Sequence, residues 1–261
     1  MKLKQISIDV STYPDELRAI LSGSSIYDSS CSPEARVIFI EKGNGYFLKS
    51  APKGALEHQA TMMSYFHSKG LSANVLAYLS AEQDWLLTEK IHGDDCIATK
   101  YLEQPKRLSD TIAERLSILH SVNFKDCPVQ NYTDLYLAKA KHNKLTGTYS
   151  KSHFPDSFGY TSAAEAWAVV ESCGHLLQGD TLIHGDYCLP NIILSNWKFT
   201  GFIDLDNAGV GDRHVDVFWA TWSLFFNLNT HKYRERFIDA YGRDKVDIDM
   251  LRIVAAVEVF G

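Results

Sequence analysis

The chain has no close-spaced cysteine pair. Its five cysteines, Cys31, Cys96, Cys127, Cys173 and Cys188, are odd in number and scattered, which indicates neither a zinc site nor a disulfide framework. It also lacks long hydrophobic runs. The opening Met1-Lys2-Leu3-Lys4-Gln5 begins no signal-peptide core, and no segment approaches the length of a membrane span. The expected location is therefore the cytoplasm, with no membrane as partner. Excess positive charge is missing as well: net charge is −6 and charged residues make up 22%. That balance argues against a nucleic-acid partner and for a cationic or nucleotide-metal one. There is no internal repeat, no low-complexity segment, no Gly-x-Ser-x-Gly elbow and no Cys/His nucleophile arrangement. What remains is a chain of 261 residues, enough for one large domain or two lobes with a sizeable core.

The most informative stretch present is Ile183-His184-Gly185-Asp186-Tyr187-Cys188-Leu189-Pro190-Asn191, followed by Phe202-Ile203-Asp204. Asp186 precedes Asn191 by five residues and Asp204 by eighteen. Protein kinases use this spacing to arrange a catalytic-loop Asp, a metal-binding Asn and a second metal-binding Asp. Nucleotide phosphates carry concentrated negative charge, so the cation that accompanies them needs hard oxygen ligands, which Asn191 and Asp204 can supply. Asp186 is then free to receive or orient the proton of an attacking hydroxyl. The runs Thr181-Leu182-Ile183, Ile192-Ile193-Leu194 and Phe199 to Leu205 read as short strands, placing these polar residues at strand ends. Taken singly, the same residues could be a turn, a cap and an ordinary strand-end acid.

Upstream, Val37 to Ile40 and Tyr46 to Lys49 read as strands joined by Lys42-Gly43-Asn44-Gly45, whose Asn-Gly pair signals a hairpin. Leu56, Gln59, Met62, Met63 and Phe66 fall at helical spacing, with Gly70 as terminator. Val75 to Leu79 and Trp85 to Glu89 are two more apolar runs, parted by the polar turn Ser80-Ala81-Glu82-Gln83-Asp84. After Gly93 the pattern turns helical. Leu108, Ile112, Leu116 and Leu119 form one stripe ending near His120, a polar stretch covers Asn143 to Gly159, and a helix follows from about Ala163 to Leu177. Further helices are expected over Val215 to Phe226, around Tyr233 to Tyr241, and over Asp249 to Phe260.

With these motifs the chain resembles the aminoglycoside phosphotransferases, the antibiotic-resistance kinases of protein-kinase-like fold, and most closely those acting on the 3′-hydroxyl. The resemblance covers nearly the whole chain and is most specific over His184-Gly185-Asp186, Pro190-Asn191, Gly201-Phe202-Ile203-Asp204-Leu205, Gly209-Val210-Gly211-Asp212-Arg213 and Asp216. It implies an α+β, two-lobed fold, with a small antiparallel β-sheet N-terminal lobe over 1–90 that binds nucleotide. A mostly helical C-terminal lobe over 91–261 would carry catalysis and substrate. It implies ATP, or GTP, with Mg²⁺. Asp186 takes the place of the catalytic base, Asn191 and Asp204 of the metal ligands, and Asp216 of the buried acid that steadies the catalytic loop. His184 is expected to support that loop through a backbone hydrogen bond. For Asp212 and Arg213 a surface ion pair opening a helix is as good a reading as a functional role.

In the first lobe Phe47-Leu48-Lys49 resembles the family's strand motif, in which the aromatic lies over adenine and the lysine reaches phosphate. Ser32, in the short Ser30 to Arg36 turn that stands where no Gly-x-Gly-x-x-Gly loop occurs, is the candidate for the β-phosphate. A plain polar hairpin is the alternative. Leu87 to Gly93 resembles the hinge, where the backbone of Glu89 and Ile91 would hold the adenine edge. The chain departs from the family at the glutamate that pairs with the lysine. Met62, Met63 and Phe66 lie three, four and seven positions after Gln59, so Gln59 shares their face, whereas Glu57 turns about 200° away at about 100° per residue. Gln59 is therefore expected in the glutamate's place, with a carboxamide oxygen to accept from Lys49 but without ion-pair strength.

Aminoglycosides are polycations, and their sites are lined with carboxylates acting in concert. Asp156, ahead of the His-Gly-Asp block, and Glu258, in the final Val257-Glu258-Val259-Phe260-Gly261, are the candidates; solvated surface acid is the alternative for both. Relatives end on two adjacent acids and an aromatic, so one carboxylate is missing here. Asp206, an extra acid two residues after Asp204, resembles kinases of other small hydroxylated molecules. Two alternatives follow: a kinase of another small alcohol, or a nucleotide-binding protein with impaired catalysis. His92 and His120 have no metal-ligand spacing and read as structural. Phe218, Trp219, Trp222, Phe225 and Phe226 read as core.

Overall fold

A computed structural model describes residues 4–30, 35–149 and 160–261. The chain divides into two compact units, one running to Gly93 and taking in Thr200–Asp206, the other holding Asp94–Phe199 and Asn207–Gly261. The short return of 200–206 to the first unit carries Asp204 with it.

The first unit is a six-stranded sheet in the order β1-β2-β3-β4-β6-β5, every described pairing antiparallel. Its strands are β1 (Lys4–Ile6), β2 (Ser25–Asp28), β3 (Arg36–Glu41), β4 (Tyr46–Pro52), β5 (Val75–Ser80) and β6 (Gln83–Glu89), with helices α1 (Asp15–Leu21) and α2 (Glu57–Ser68). Alternation places Ile38, Ile40, Leu48 and Leu87 on one face, where they pack with Tyr13, Leu17, Leu21 and Ile26. Helix α1 exists to cover that face. The β3–β4 turn needs glycine at Gly45, where φ is +92° and an added Cβ would lie 2.7 Å from the Phe39 ring. Helix α2 buries Met62, Met63 and Phe66, and Phe66 meets Phe202 edge to face at 6.3 Å. Asp84 does not lie in a polar turn. It is the second residue of β6, is fully buried, and accepts from the backbone N–H of Leu56 at 2.9 Å, Tyr78 Oη at 3.0 Å and Ser80 Oγ at 2.7 Å. Burial raises its carboxyl, but hydrogen bonds from Ser80 and the Leu56 and Gly54 backbone win and lower it to about 2. The start of the helix that bears Gln59 is thereby tied to the sheet.

The second unit is mostly helical, with α3 (Thr99–Leu102), α4 (Pro105–Leu119), α5 (Tyr132–Thr146), α6 (Ala163–Cys173), α7 (Arg213–Leu228), α8 (Lys232–Tyr241) and α9 (Ile248–Glu258). Leu108, Ile112, Leu116 and Leu119 are wholly buried, so the α4 stripe is the core face. Helix α5 occupies the first residues of the polar stretch from Asn143 and ends on Gly147 in the left-handed region. Its one-sided burial at Tyr132, Tyr136 and Ala140 is too sparse an apolar pattern to read from sequence. Two antiparallel pairs frame a loop: β8 (Thr181–Ile183) with β11 (Gly209–Gly211), and β7 (Asp94–Asp95) with β9 (Ile192–Ser195). Strand β10 (Lys198–Phe202) carries the chain toward Asp204. The aromatic run on α7 is only partly core. Phe218 is buried, but Phe226 is 67% exposed and stacks on Trp222 at 5.0 Å.

Candidate active site

The loop between β8 and β9 is held from beneath by Asp216 on α7. Its carboxylate accepts from the backbone N–H of His184 at 2.8 Å and of Gly185 at 2.7 Å, and is 3.0 Å from His120 Nε2. Asp216, His184 and the His120 side chain are all buried. Burial lowers the His120 pKa despite the adjacent carboxylate, so the ring is neutral at pH 7. Because a carboxylate only accepts, Nε2 carries the proton, and Nδ1 accepts from the Tyr241 hydroxyl at 2.7 Å. The family resemblance implies Asp216 but not His120, which stands 96 residues away in sequence. A polar residue closing an apolar helical stripe was the available signal.

Gly185 has φ +81°, and a Cβ there would fall 1.7 Å from the Asn207 carbonyl oxygen, so only glycine lets these two backbones pass. Beyond it the chain is pinned by Tyr187 Oη donating to the Ile112 carbonyl at 2.8 Å and by the Leu189 N–H donating to Ser223 Oγ at 2.9 Å. The Asp186 N–H donates to His184 Nδ1 at 3.3 Å. Asn191 Nδ2 donates to Asp186 Oδ2 at 2.8 Å and to the Asp186 carbonyl at 3.0 Å. This pairing orients the Asp186 side chain, beside which the Cys188 thiol also lies. Asn191 Oδ1, which accepts no hydrogen bond among the described residues, is left as a hard ligand.

The first unit holds a second cluster. Lys49 Nζ donates to Gln59 Oε1 at 2.8 Å and to Asp204 Oδ1 at 3.1 Å, and Gln59 Nε2 donates to the same Asp204 oxygen at 3.3 Å. Gln59 is 4% exposed. The carboxamide does what a glutamate could not, accepting from the ammonium and donating to the carboxylate together. Asp204 is a non-glycine residue at φ +58°, a costly conformation that turns its side chain out of the strand direction. The strand before it is anchored by the Phe202 N–H to the Leu71 carbonyl at 2.7 Å and by Ser72 Oγ to the Phe202 carbonyl at 3.0 Å. Asp204 Oδ2 stays open.

Phe47 is half-buried and its ring centroid is 5.2 Å from that of Phe39. Glu89 pairs with Tyr46 across the sheet and donates its N–H to the Asn74 carbonyl at 3.1 Å, while half-buried Ile91 packs over Gly201. Ser32 and Asp156 lie outside the described residues. Asp212 and Arg213 form no ion pair with each other. Asp212 is buried and caps α7, accepting from the His214 N–H and His214 Nδ1 at 2.8 and 2.7 Å and from the Gln178 N–H at 2.7 Å.

Glu258 is no freely solvated acid. Tyr136 Oη and Trp219 Nε1 both donate to its Oε1, at 2.8 and 3.1 Å. Burial, which Asp186 reinforces and these donors and Lys139 oppose, pushes its carboxyl from 4.5 up to about 7. The folded-state value lies above the unfolded one. Its stabilising contribution is therefore complete below about pH 4.5 and lost as pH rises through about 7. Glu258→Gln keeps the Oε1 acceptor and imitates the protonated acid. Its melting temperature relative to the parent should rise between about pH 5 and about pH 8; a difference that does not change with pH would refute the assignment.

Comparisons with known proteins bear on the family and the fold. Residues 33–253 match the phosphotransferase enzyme family. A probable aminoglycoside 3′-phosphotransferase of Lactococcus lactis subsp. lactis is 49% identical over 260 residues, 99% of each chain. An aminoglycoside 3′-phosphotransferase of Niallia circulans is 26% identical, over 95% of this chain and 97% of that one. The fold is shared with the crystal structure of an aminoglycoside-3′-phosphotransferase of type VIII, at TM-score 0.78 and 22% identity, covering 94% of this chain and 97% of that one. The chain belongs to the phosphotransferase enzyme family, and its fold is the family's kinase-like α+β arrangement of an antiparallel sheet and a mostly helical part. Among the described residues no helix is long and apolar enough to cross a membrane.

Proposed function

We propose that this protein transfers the γ-phosphoryl group of ATP to a hydroxyl of an aminoglycoside and thereby confers resistance. The observation that carries the reading is the Asn191–Asp186 hydrogen bond in a loop clamped by Asp216, which orients one carboxylate and frees one amide oxygen. The full-length similarity to a probable aminoglycoside 3′-phosphotransferase supports the substrate class. An aminoglycoside phosphotransferase from Streptomyces rimosus of the same fold, at TM-score 0.73, was solved in complex with ADP and streptomycin. In this reading residues 1–90 bind nucleotide and 91–261 bind the acceptor.

Among the described residues no three His, Cys, Asp or Glu side chains gather as a metal site. A nucleotide-borne Mg²⁺ needs few protein ligands, and Asn191 Oδ1 and Asp204 Oδ2 have the hardness required. When bound, the ion would screen the phosphate oxygens. Asp186 accepts the proton of the acceptor hydroxyl as its oxygen attacks the γ-phosphorus, and the bond to the β–γ bridging oxygen breaks to release ADP. Lys49 neutralises phosphate oxygens, the Glu89 and Ile91 backbone holds adenine beside Phe47, and Ser32 meets the β-phosphate. Glu258 and Asp156 meet ammonium groups.

Purified protein with Mg-ATP should release ADP on addition of kanamycin-like compounds, and expression in a susceptible bacterium should raise resistance. Release only with other small alcohols would replace the acceptor, and nucleotide binding without turnover would remove the catalytic reading. At the lysine, Gln59→Leu should lower kcat/KM for ATP by about tenfold, the value of a lost hydrogen bond to a charged group. Gln59→Glu should preserve or raise turnover, provided the ion pair gained with Lys49 outweighs the amide donor lost from Asp204. A severe loss with glutamate would instead assign the essential role to the amide donor facing Asp204.

A further inference from the structure

Away from the catalytic loop the second unit contains a cavity of about 210 Å³ lined by Ser117, Ile118, His120, Ser121, Arg213, Tyr241 and Lys245. It is smaller than the roughly 300–1,000 Å³ of drug-sized ligand sites, so its occupant is small. Its charge is one-sided. Among the described residues neither Arg213 nor Lys245 enters an ion pair. The two buried carboxylates nearby are already committed, Asp216 to His120 and the loop amides, Asp212 to His214 and the Gln178 N–H. Arg213 spends one N–H on Thr181 Oγ1 at 3.2 Å and lies against the Tyr241 hydroxyl, while the Lys245 ammonium sits 5.8 Å from the centroid of the Tyr241 ring. Ser117 Oγ makes no hydrogen bond among the described residues, and Ser121 Oγ donates to the Ile118 carbonyl at 2.7 Å, leaving its lone pairs.

We propose that this cavity binds a small phosphate-type oxyanion, held by Arg213, Lys245 and Ser117, and that its occupancy is felt at the catalytic loop through Tyr241, His120 and Asp216. A guanidinium presents several N–H donors in a fixed fork, an ammonium adds a point charge, and a hydroxyl completes a donor set suited to a tetrahedral dianion. The connection to the loop is one unbroken chain of hydrogen bonds: Tyr241 Oη to His120 Nδ1, His120 Nε2 to Asp216, and Asp216 to the backbone N–H of His184 and Gly185. An anion that draws Arg213 from the tyrosine oxygen changes the first link of that chain. The proposal does not depend on the acceptor alcohol, because it is read by binding.

The test titrates inorganic phosphate into the whole protein at constant ionic strength, following the His120 ring N–H and the Gly185 amide by nitrogen-edited NMR. Saturable shifts at both are expected. Lys245 is exposed and outside the catalytic machinery, so Lys245→Glu should leave the fold intact and weaken this phase at least about tenfold, the scale of one charge-assisted contact. Lys245→Arg should retain it. Absence of a saturable shift at His120, an identical titration in Lys245→Glu, or equal shifts with chloride would overturn the site. Saturation at His120 with no change at Gly185 would overturn the coupling.

Discussion

Asp186→Asn should lower kcat by about 10²- to 10⁴-fold, the contribution of a positioned general base, with little change in ATP affinity or melting temperature. The substitution keeps the shape of the side chain and removes its capacity to take a proton. Asp186 is half-exposed within its loop and its backbone contacts to His184 and Asn191 remain, so the loop has no reason to collapse. ADP-release kinetics together with nucleotide titration measure the two quantities separately. Turnover within threefold of the parent would exclude Asp186 as the proton acceptor, and a large fall in melting temperature would mean that the side chain serves the fold.

Asp216→Ala should have the larger effect on stability. Three donors, the N–H groups of His184 and Gly185 and His120 Nε2, would lose their acceptor inside a buried site. Each unsatisfied buried donor costs about 1–3 kcal/mol, so the three together cost at least about 3 kcal/mol. For a chain of this size that corresponds to a fall in melting temperature on the order of 10 °C. Activity should vanish with it, because the loop geometry that aims Asp186 depends on those amides. A variant that melts with the parent would show that the loop is held by Tyr187 and Leu189 instead.

The two substitutions mark different depths of legibility. The Asp186–Asn191 pair is close in sequence. Five residues of separation in one loop put the two side chains within reach of each other, and motif spacing reads that much directly, although the clamp on Asp216 that fixes the loop comes from far along the chain. Gln59 is similar, because helix phase alone turns it toward Met62, Met63 and Phe66 and away from Glu57. Glu258 shows the limit. Its position near the C-terminus was visible, but its partners Tyr136 and Trp219 come from helices 122 and 39 residues away, and the raised pKa belongs to that meeting. Asp84 read as part of a turn because nothing in its neighbourhood announces a buried carboxylate; its partners at Leu56 and Tyr78 exist only once α2 and β5 close around it. Helix α5 escaped for a related reason: its buried face is narrow and otherwise polar.

What the sequence determined by itself was much of the order of elements, helix α5 excepted, and the chemistry available: the loop carboxylate and carboxamide, the strand lysine and the inward glutamine. Short-range geometry settles these, since strand alternation, helix phase and loop length act within a few residues. Tertiary structure alone decided which of those groups are charged and which are held. The neutral His120 beneath the loop, the half-buried Glu258 and the cavity cations that form no ion pair among the described residues all follow from desolvation and from partners distant in sequence, and desolvation is a property of the packed fold, absent from any local stretch of chain.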